Sequence, residues 1–92
     1  MHRLSPEEVI SRLNALPRWR VEKGELTCTF DFSDFKAALA FVNLVGKRAE
    51  EVAHHPDIDI RYNRVGLALV THDAGGLTAK DFDLAADVDR LR

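Results

Sequence analysis

"EEVAHHPDIDIRY", residues 50–62, joins two periodicities. Up to Val52 the apolar residues recur every three or four positions, which is the spacing of one helix face. Beyond Pro56 they alternate: Ile58, Ile60 and Tyr62 share one side of an extended chain, and Asp57, Asp59 and Arg61 the other. The period changes at His54-His55-Pro56, because the residue before a proline avoids the helical region. A helix ends here and a strand begins. The same stretch spends two of the chain's four histidines side by side. That raises three readings of the pair: chemistry, metal binding or helix termination.

Working backwards, residues 33–53 predict the longest helix, capped by Ser33 or Asp34. Phe35, Ala38, Leu39, Val42, Val45, Ala49 and Val52 form one apolar stripe. A second patch, Ala37, Ala40, Phe41 and Leu44, lies nearly opposite. A sheet covers one such face, and a second subunit is the natural cover for the other. Before this helix, Trp19 and Val21 alternate, Lys23-Gly24 turns, and "ELTCTFDF" (residues 25–32) alternates again, so a hairpin is expected. At the start, Ser5, Pro6 and Glu8 make a capping box followed by Val9, Ile10, Leu13 and Leu16 at helical spacing, with Pro17 as the stop.

Working forwards, Asn63-Arg64 is the expected connection to "VGLALVTH" (residues 65–72), a strand apolar on both faces. "DAGG" follows as a loop. Thr78 caps a last helix whose apolar face is Leu84, Ala85, Val88 and Leu91. Asp81 falls on that face, three residues after Thr78, where a carboxylate completes a capping box. The order α-β-β-α-β-β-α predicts an α+β, two-layer architecture: a four-stranded antiparallel sheet with three helices on one face, forming one domain over residues 1–92.

Composition narrows the function classes. The chain has 92 residues, 46 % hydrophobic and 30 % charged, with a formal net charge of −2. A phosphate-tracking nucleic-acid binder needs a concentrated basic patch, so no nucleic-acid partner is expected. Lys47, Arg48, Arg61 and Arg64 are the nearest approach to one and read as solvated surface. The one cysteine, Cys28, excludes an intrachain disulfide, and its alternating neighbours make it a small core residue. No apolar run nears the roughly 20 residues that span a bilayer, and residues 1–10 lack a signal-peptide core. The expected setting is cytoplasmic, with no membrane partner.

Metal binding fits the histidine pair poorly. Adjacent side chains in an extended chain point to different sides, no second histidine follows four residues on, and no cysteine supports them. For His54 alone, a cap on the negative end of the helix dipole is the plainer reading. His72, at the end of an apolar strand, shares a face with Gly66, Ala68 and Val70 if the strand stays regular, and the two small residues leave room for a ligand. Imidazole, with an unperturbed pKa near 6.5, gives or takes a proton at neutral pH. Glu50, one helical turn before His54, stands where a carboxylate would orient it. The residues by themselves point to a histidine acid–base site.

Glu50-x3-His54-His55-Pro56-x5-Tyr62-x9-His72-x8-Asp81, together with "THDAGGLTAKDFDLA" (residues 71–85), resembles the signature of the pterin-4a-carbinolamine dehydratase family over essentially the whole chain. The resemblance implies dehydration of 4a-hydroxytetrahydrobiopterin to the quinonoid dihydropterin, which regenerates the cofactor of aromatic amino acid hydroxylases. It implies no metal and no organic cofactor. By position in the motif, His54, His55 and His72 are the catalytic histidines, Glu50 orients one of them, Asp81 supports the loop carrying His72, and Tyr62 contacts the substrate. It also implies a homo-oligomer, dimer or tetramer. A competing class within the family is the dehydratase-like binding or assembly module, acting through the helix patch of Phe41 and Leu44. Two positions depart from the usual pattern. Ala53 stands where many relatives have Asp or Asn, and Ile58 where some have Trp.

Overall fold

The computed structural model describes residues 2–92. Ser5 caps α1 (Pro6–Leu13) through the expected capping box: its hydroxyl accepts from Glu8 N–H at 3.2 Å, and the Glu8 carboxylate accepts from Ser5 N–H at 2.8 Å. The helix stops at Leu13, short of Pro17, and Leu16 reaches the core from the turn that follows. Ile10, expected to face inward, is 63 % exposed and lies off the buried side.

β1 (Arg20–Glu22) and β2 (Glu25–Asp31) form the hairpin. Lys23 and Gly24 both have positive φ, 52° and 79°, as a two-residue turn matched to strand twist requires. α2 (Phe35–Val52) follows, with the Asp34 carboxylate accepting from Ala37 N–H at 2.8 Å. β3 (Asp57–Arg61), β4 (Arg64–Leu69) and α3 (Ala79–Arg90) complete the chain, with a single 3-10 turn, His72–Ala74, between β4 and α3. The sheet is antiparallel throughout in the order β1-β2-β4-β3. The α+β architecture stands as the alternation of periods predicted.

Leu26, Cys28 and Phe30 on β2 face Val65, Leu67 and Leu69 on β4 in register, and all six are buried under the helices. The opposite sheet face carries Thr27, Thr29, Gly66 and Ala68 and stays uncovered. Cys28 is a core residue as expected, and burial, with the Asp89 charge second, pushes its thiol pKa up. Trp19 closes one end of the core. Its ring meets Phe30 edge-on with centroids 6.0 Å apart, and its N–H donates to Asp89 Oδ1 at 2.9 Å. No helix among the described residues is long and apolar enough to cross a membrane. Three of the four basic residues singled out in the sequence, Arg48, Arg61 and Arg64, are each paired with a carboxylate.

The face of α2 that packs is the expected stripe, with Val42 and Val52 also against the core, but it is shifted at one edge toward the second patch. Ala38, Phe41, Val45 and Ala49 are buried, with Phe41 against Phe30 and Phe32 at 4.9 and 5.0 Å between centroids. Phe35 and Leu39 are instead 46 % and 41 % exposed. The two apolar patches of α2 merge at their shared edge, and the largest ring in the middle of the helix, Phe41, takes the inward position because it fills most volume there. The assembly surface expected at Phe41 and Leu44 is therefore wrong in its first member. Phe41 is core, and Leu44 lies exposed on a different side of the helix from Phe35 and Leu39.

Candidate active site

The end of α2 aims the histidines. Ala53 adopts the left-handed conformation, φ 53° and ψ 41°. Its N–H bonds Glu50 O at 3.3 Å, and His54 N–H bonds Ala49 O at 3.1 Å. These are the two bonds of a Schellman turn, which satisfies carbonyls left open at the helix end. Left-handed backbone costs alanine roughly 1–2 kcal/mol, whereas glycine, Asn and Asp adopt it more easily. That gives the Asp or Asn expected here a conformational reason independent of any ligand. Ala53→Gly is expected to raise stability by about 0.5–1 kcal/mol, less than the full strain because glycine also gains freedom in the unfolded chain. Urea midpoints of the two proteins check this. An unchanged midpoint would mean that the turn carries no strain.

After the turn, the two histidine side chains part. His54 points inward to the start of α3, where its Nε2 lies 2.6 Å from Asp81 Oδ1. The His54 side chain is 12 % exposed and Asp81 is fully buried. His55 turns outward and hydrogen-bonds the Glu50 carboxylate, both side chains being exposed. The Glu50 carboxylate therefore bonds His55 rather than His54, because the left-handed residue removes His54 from the helical register that the i, i+4 spacing assumed.

Asp81 does more than cap. Its Oδ2 accepts from Thr78 N–H and from the Thr71 hydroxyl, each at 2.9 Å, and the Thr71 and Thr78 hydroxyls lie 2.8 Å apart. The expected capping box with Thr78 is present. The expected support of the His72 loop runs through Thr71, the residue before His72. The bond to His54 was not foreseen.

His72 does not lie on β4. The strand ends at Leu69, and an isolated bridge between Thr71 and Gly76 closes the "DAGG" loop, with Gly75 at φ 74°. His72 opens the 3-10 turn and is exposed. It lines a cleft of about 270 Å³ with Ala53, His54, His55, Thr71 and Lys80. The three histidines thus meet around one cleft. The small residues named for it, Gly66 and Ala68, do not line it; they belong to the open sheet face, since the chain leaves the strand before His72. Tyr62 does not line the cleft either. It sits at φ 52° in the turn between β3 and β4, at the opposite end of β3 from His55, and is 66 % exposed.

Sequence reasoning missed Thr71 and Lys80. Thr71 carried no local signal, because its partners are seven and ten residues away. Lys80 follows two residues after the helix cap and read as ordinary surface.

The chain matches the family model described as pterin 4 alpha carbinolamine dehydratase over residues 2–91. A protein of Acidobacterium capsulatum, provisionally named a pterin-4-alpha-carbinolamine dehydratase, is 58 % identical over 91 residues, covering 99 % of both chains. One from Chloroflexus aurantiacus with the same provisional name is 56 % identical, covering 99 % of this chain and 98 % of its own. Among solved structures, a transcriptional coactivator/pterin dehydratase from Brucella melitensis superposes with a TM-score of 0.93 at 33 % identity, covering 98 % of each chain. A pterin dehydratase-like protein identified as a RuBisCO assembly factor in the alpha-carboxysome gives a TM-score of 0.65 at 25 % identity, covering 80 % of this chain and 86 % of its own. With a family model spanning nearly every residue and a relative more than half identical end to end, the chain belongs to the pterin-4a-carbinolamine dehydratase family.

Proposed function

We propose that this chain is a cytoplasmic hydro-lyase that dehydrates 4a-hydroxytetrahydrobiopterin to the quinonoid dihydropterin, recycling the pterin cofactor of aromatic amino acid hydroxylases. The observation that carries the reading is the convergence of His54, His55 and His72 on one cleft, with His54 tied to a buried carboxylate. In the reaction the C4a–O bond breaks, the departing hydroxyl takes a proton and leaves as water, a ring nitrogen gives up its proton, and a C=N bond forms. One group must accept a proton and another donate one.

His54 suits the accepting role. Its Nε2 is engaged by Asp81, which leaves Nδ1 for the substrate. His72 makes no hydrogen bond through its side chain among the described residues and is free to donate to the hydroxyl. His55, held by Glu50 at the exposed rim, serves binding more than proton transfer. A direct turnover assay with synthetic 4a-hydroxytetrahydropterin tests the reading. Acceleration well above the spontaneous rate is expected, and a rate equal to buffer alone would end it.

A second reading, a dehydratase-like binding or assembly module, is favoured by the exposed apolar side chains on α2 and by the fold shared with a RuBisCO assembly factor. The same side chains support a homo-oligomer, dimer or tetramer, and exposed Phe35 and Leu39 are the contact we propose for it. Leu39→Asp is expected to reduce the sedimentation mass to one 10.4 kDa chain without unfolding it, because Leu39 is not part of the core. A wild-type mass equal to one chain at micromolar concentration would defeat the assembly.

A further inference from the structure

The hydroxyls of Thr71 and Thr78 are buried, and the 2.8 Å between them allows either to donate. Asp81 settles the direction. Its Oδ2 lies 2.9 Å from Thr71 Oγ1, and a carboxylate oxygen only accepts. The one proton of Thr71 is therefore used on Asp81, and the Thr71 oxygen must accept the proton of Thr78. Thr78 Oγ1 in turn accepts from Lys80 N–H at 3.3 Å. On the other side of the carboxylate, Oδ1 also accepts, so the nitrogen 2.6 Å away, His54 Nε2, carries the proton. Every hydrogen in the chain from Lys80 N–H to Asp81 then points one way, and His54 in its neutral form is left with its lone pair on Nδ1. No buried side-chain nitrogen or oxygen among the described residues lacks a partner.

We infer that Thr71 is a positioning residue: its hydroxyl fixes the Asp81 carboxylate so that His54 is held as the Nε2–H tautomer, with Nδ1 turned over to the substrate. The same residue anchors the loop that begins at His72, through the bridge from Thr71 to Gly76. One residue thus bears on two histidines that belong to distant parts of the chain, on His54 through its hydroxyl and on His72 through its backbone. The kinetic half of this inference rests on the dehydratase reading above, and the tautomer half does not.

The experiment compares wild type, Thr71→Val and Thr71→Ser in the full chain, folded in each case below its melting transition. Long-range proton–nitrogen spectra of the imidazoles give the tautomer of His54 directly. Wild type is expected to show Nε2–H. Thr71→Val, which keeps the shape and removes the hydroxyl, is expected to populate the Nδ1–H form and to lower kcat on 4a-hydroxytetrahydropterin about tenfold, with KM within about twofold. Thr71→Ser restores the hydroxyl and is expected to restore both readouts, which a purely structural role for the side chain would not require. Wild-type His54 found as Nδ1–H overturns the inference outright, and this holds even if Thr71→Val does not fold. So does a folded Thr71→Val with unchanged His54 signals and kcat, or a Thr71→Ser that fails to rescue. A wild type without turnover, whose His54 nitrogens still respond to Thr71→Val and recover in Thr71→Ser, would remove the dehydratase reading and sustain the positioning role.

Discussion

His72→Ala is expected to lower kcat by about 100-fold while leaving stability within about 0.5 kcal/mol of wild type. The first figure is the low end of what a general acid contributes, roughly 100- to 10,000-fold, and corresponds to about 2.7 kcal/mol of barrier. The low end applies because the carbinolamine also loses water unaided. The second figure follows from exposure: His72 opens a surface turn and makes no side-chain hydrogen bond among the described residues, and substitutions at such places change stability little. His54→Ala is expected to lose turnover to a similar degree, but not silently. It strips one donor from a fully buried carboxylate, and an unmet buried charge contact costs about 1.5–3 kcal/mol. The two variants therefore separate by thermal melting as well as by rate. His55→Ala acts on KM at least as much as on kcat, in keeping with its exposed position. Single-turnover measurements on the synthetic carbinolamine decide the matter. Wild-type rates from both His54→Ala and His72→Ala would make the histidines bystanders and hand the cleft to the binding-module reading.

Asp81→Asn carries the largest expected loss of stability. The sequence alone suggests a cap contact worth about 1 kcal/mol. The structure gives the side chain no exposure and three donors: His54 Nε2–H, the Thr71 hydroxyl and Thr78 N–H. An amide keeps one acceptor oxygen and turns an N–H2 group on the donors at the other position. At about 1–3 kcal/mol for each donor left buried without a partner, the expected cost is about 3 kcal/mol. A domain of this size has roughly 5–14 kcal/mol in all, so the loss is a large share. In urea, where small domains lose about 1–3 kcal/mol per molar, the midpoint should fall by at least about 1 M. A shift matching only about 1 kcal/mol would return Asp81 to the role of a simple cap. Turnover should fall too, since His54 loses the partner that holds its tautomer.

Much of this molecule is local, and local features are legible in a sequence. The capping boxes at Ser5 and Thr78 and the turn at Lys23-Gly24 each depend on residues within a few positions of one another. The strand periods of "ELTCTFDF" and "DIDIRY" are equally local, because alternation is a property of the extended chain itself. These features, in order, are enough to determine an antiparallel sheet under helices. The histidine, glutamate and aspartate spacing was likewise enough to indicate the family.

What tertiary structure decided lies where distant residues choose among local options. Both apolar patches of α2 were equally helical, and only the sheet beneath selects Phe41 for the core and leaves Phe35 and Leu39 exposed. Glu50 had two histidines within reach, and the left-handed turn at Ala53 gives it His55. Asp81 had a sufficient local explanation as a cap, yet its second oxygen is taken by His54, 27 residues earlier. Tyr62 alternates correctly with Ile58 and Ile60 but turns away at φ 52°, because β3 must reverse there to pair with β4. Periodicity specifies which side of an element a residue occupies. It carries no information about which other element lies against that side, and this is why the sequence reached the three histidines of the cleft while only the folded chain supplied their partners.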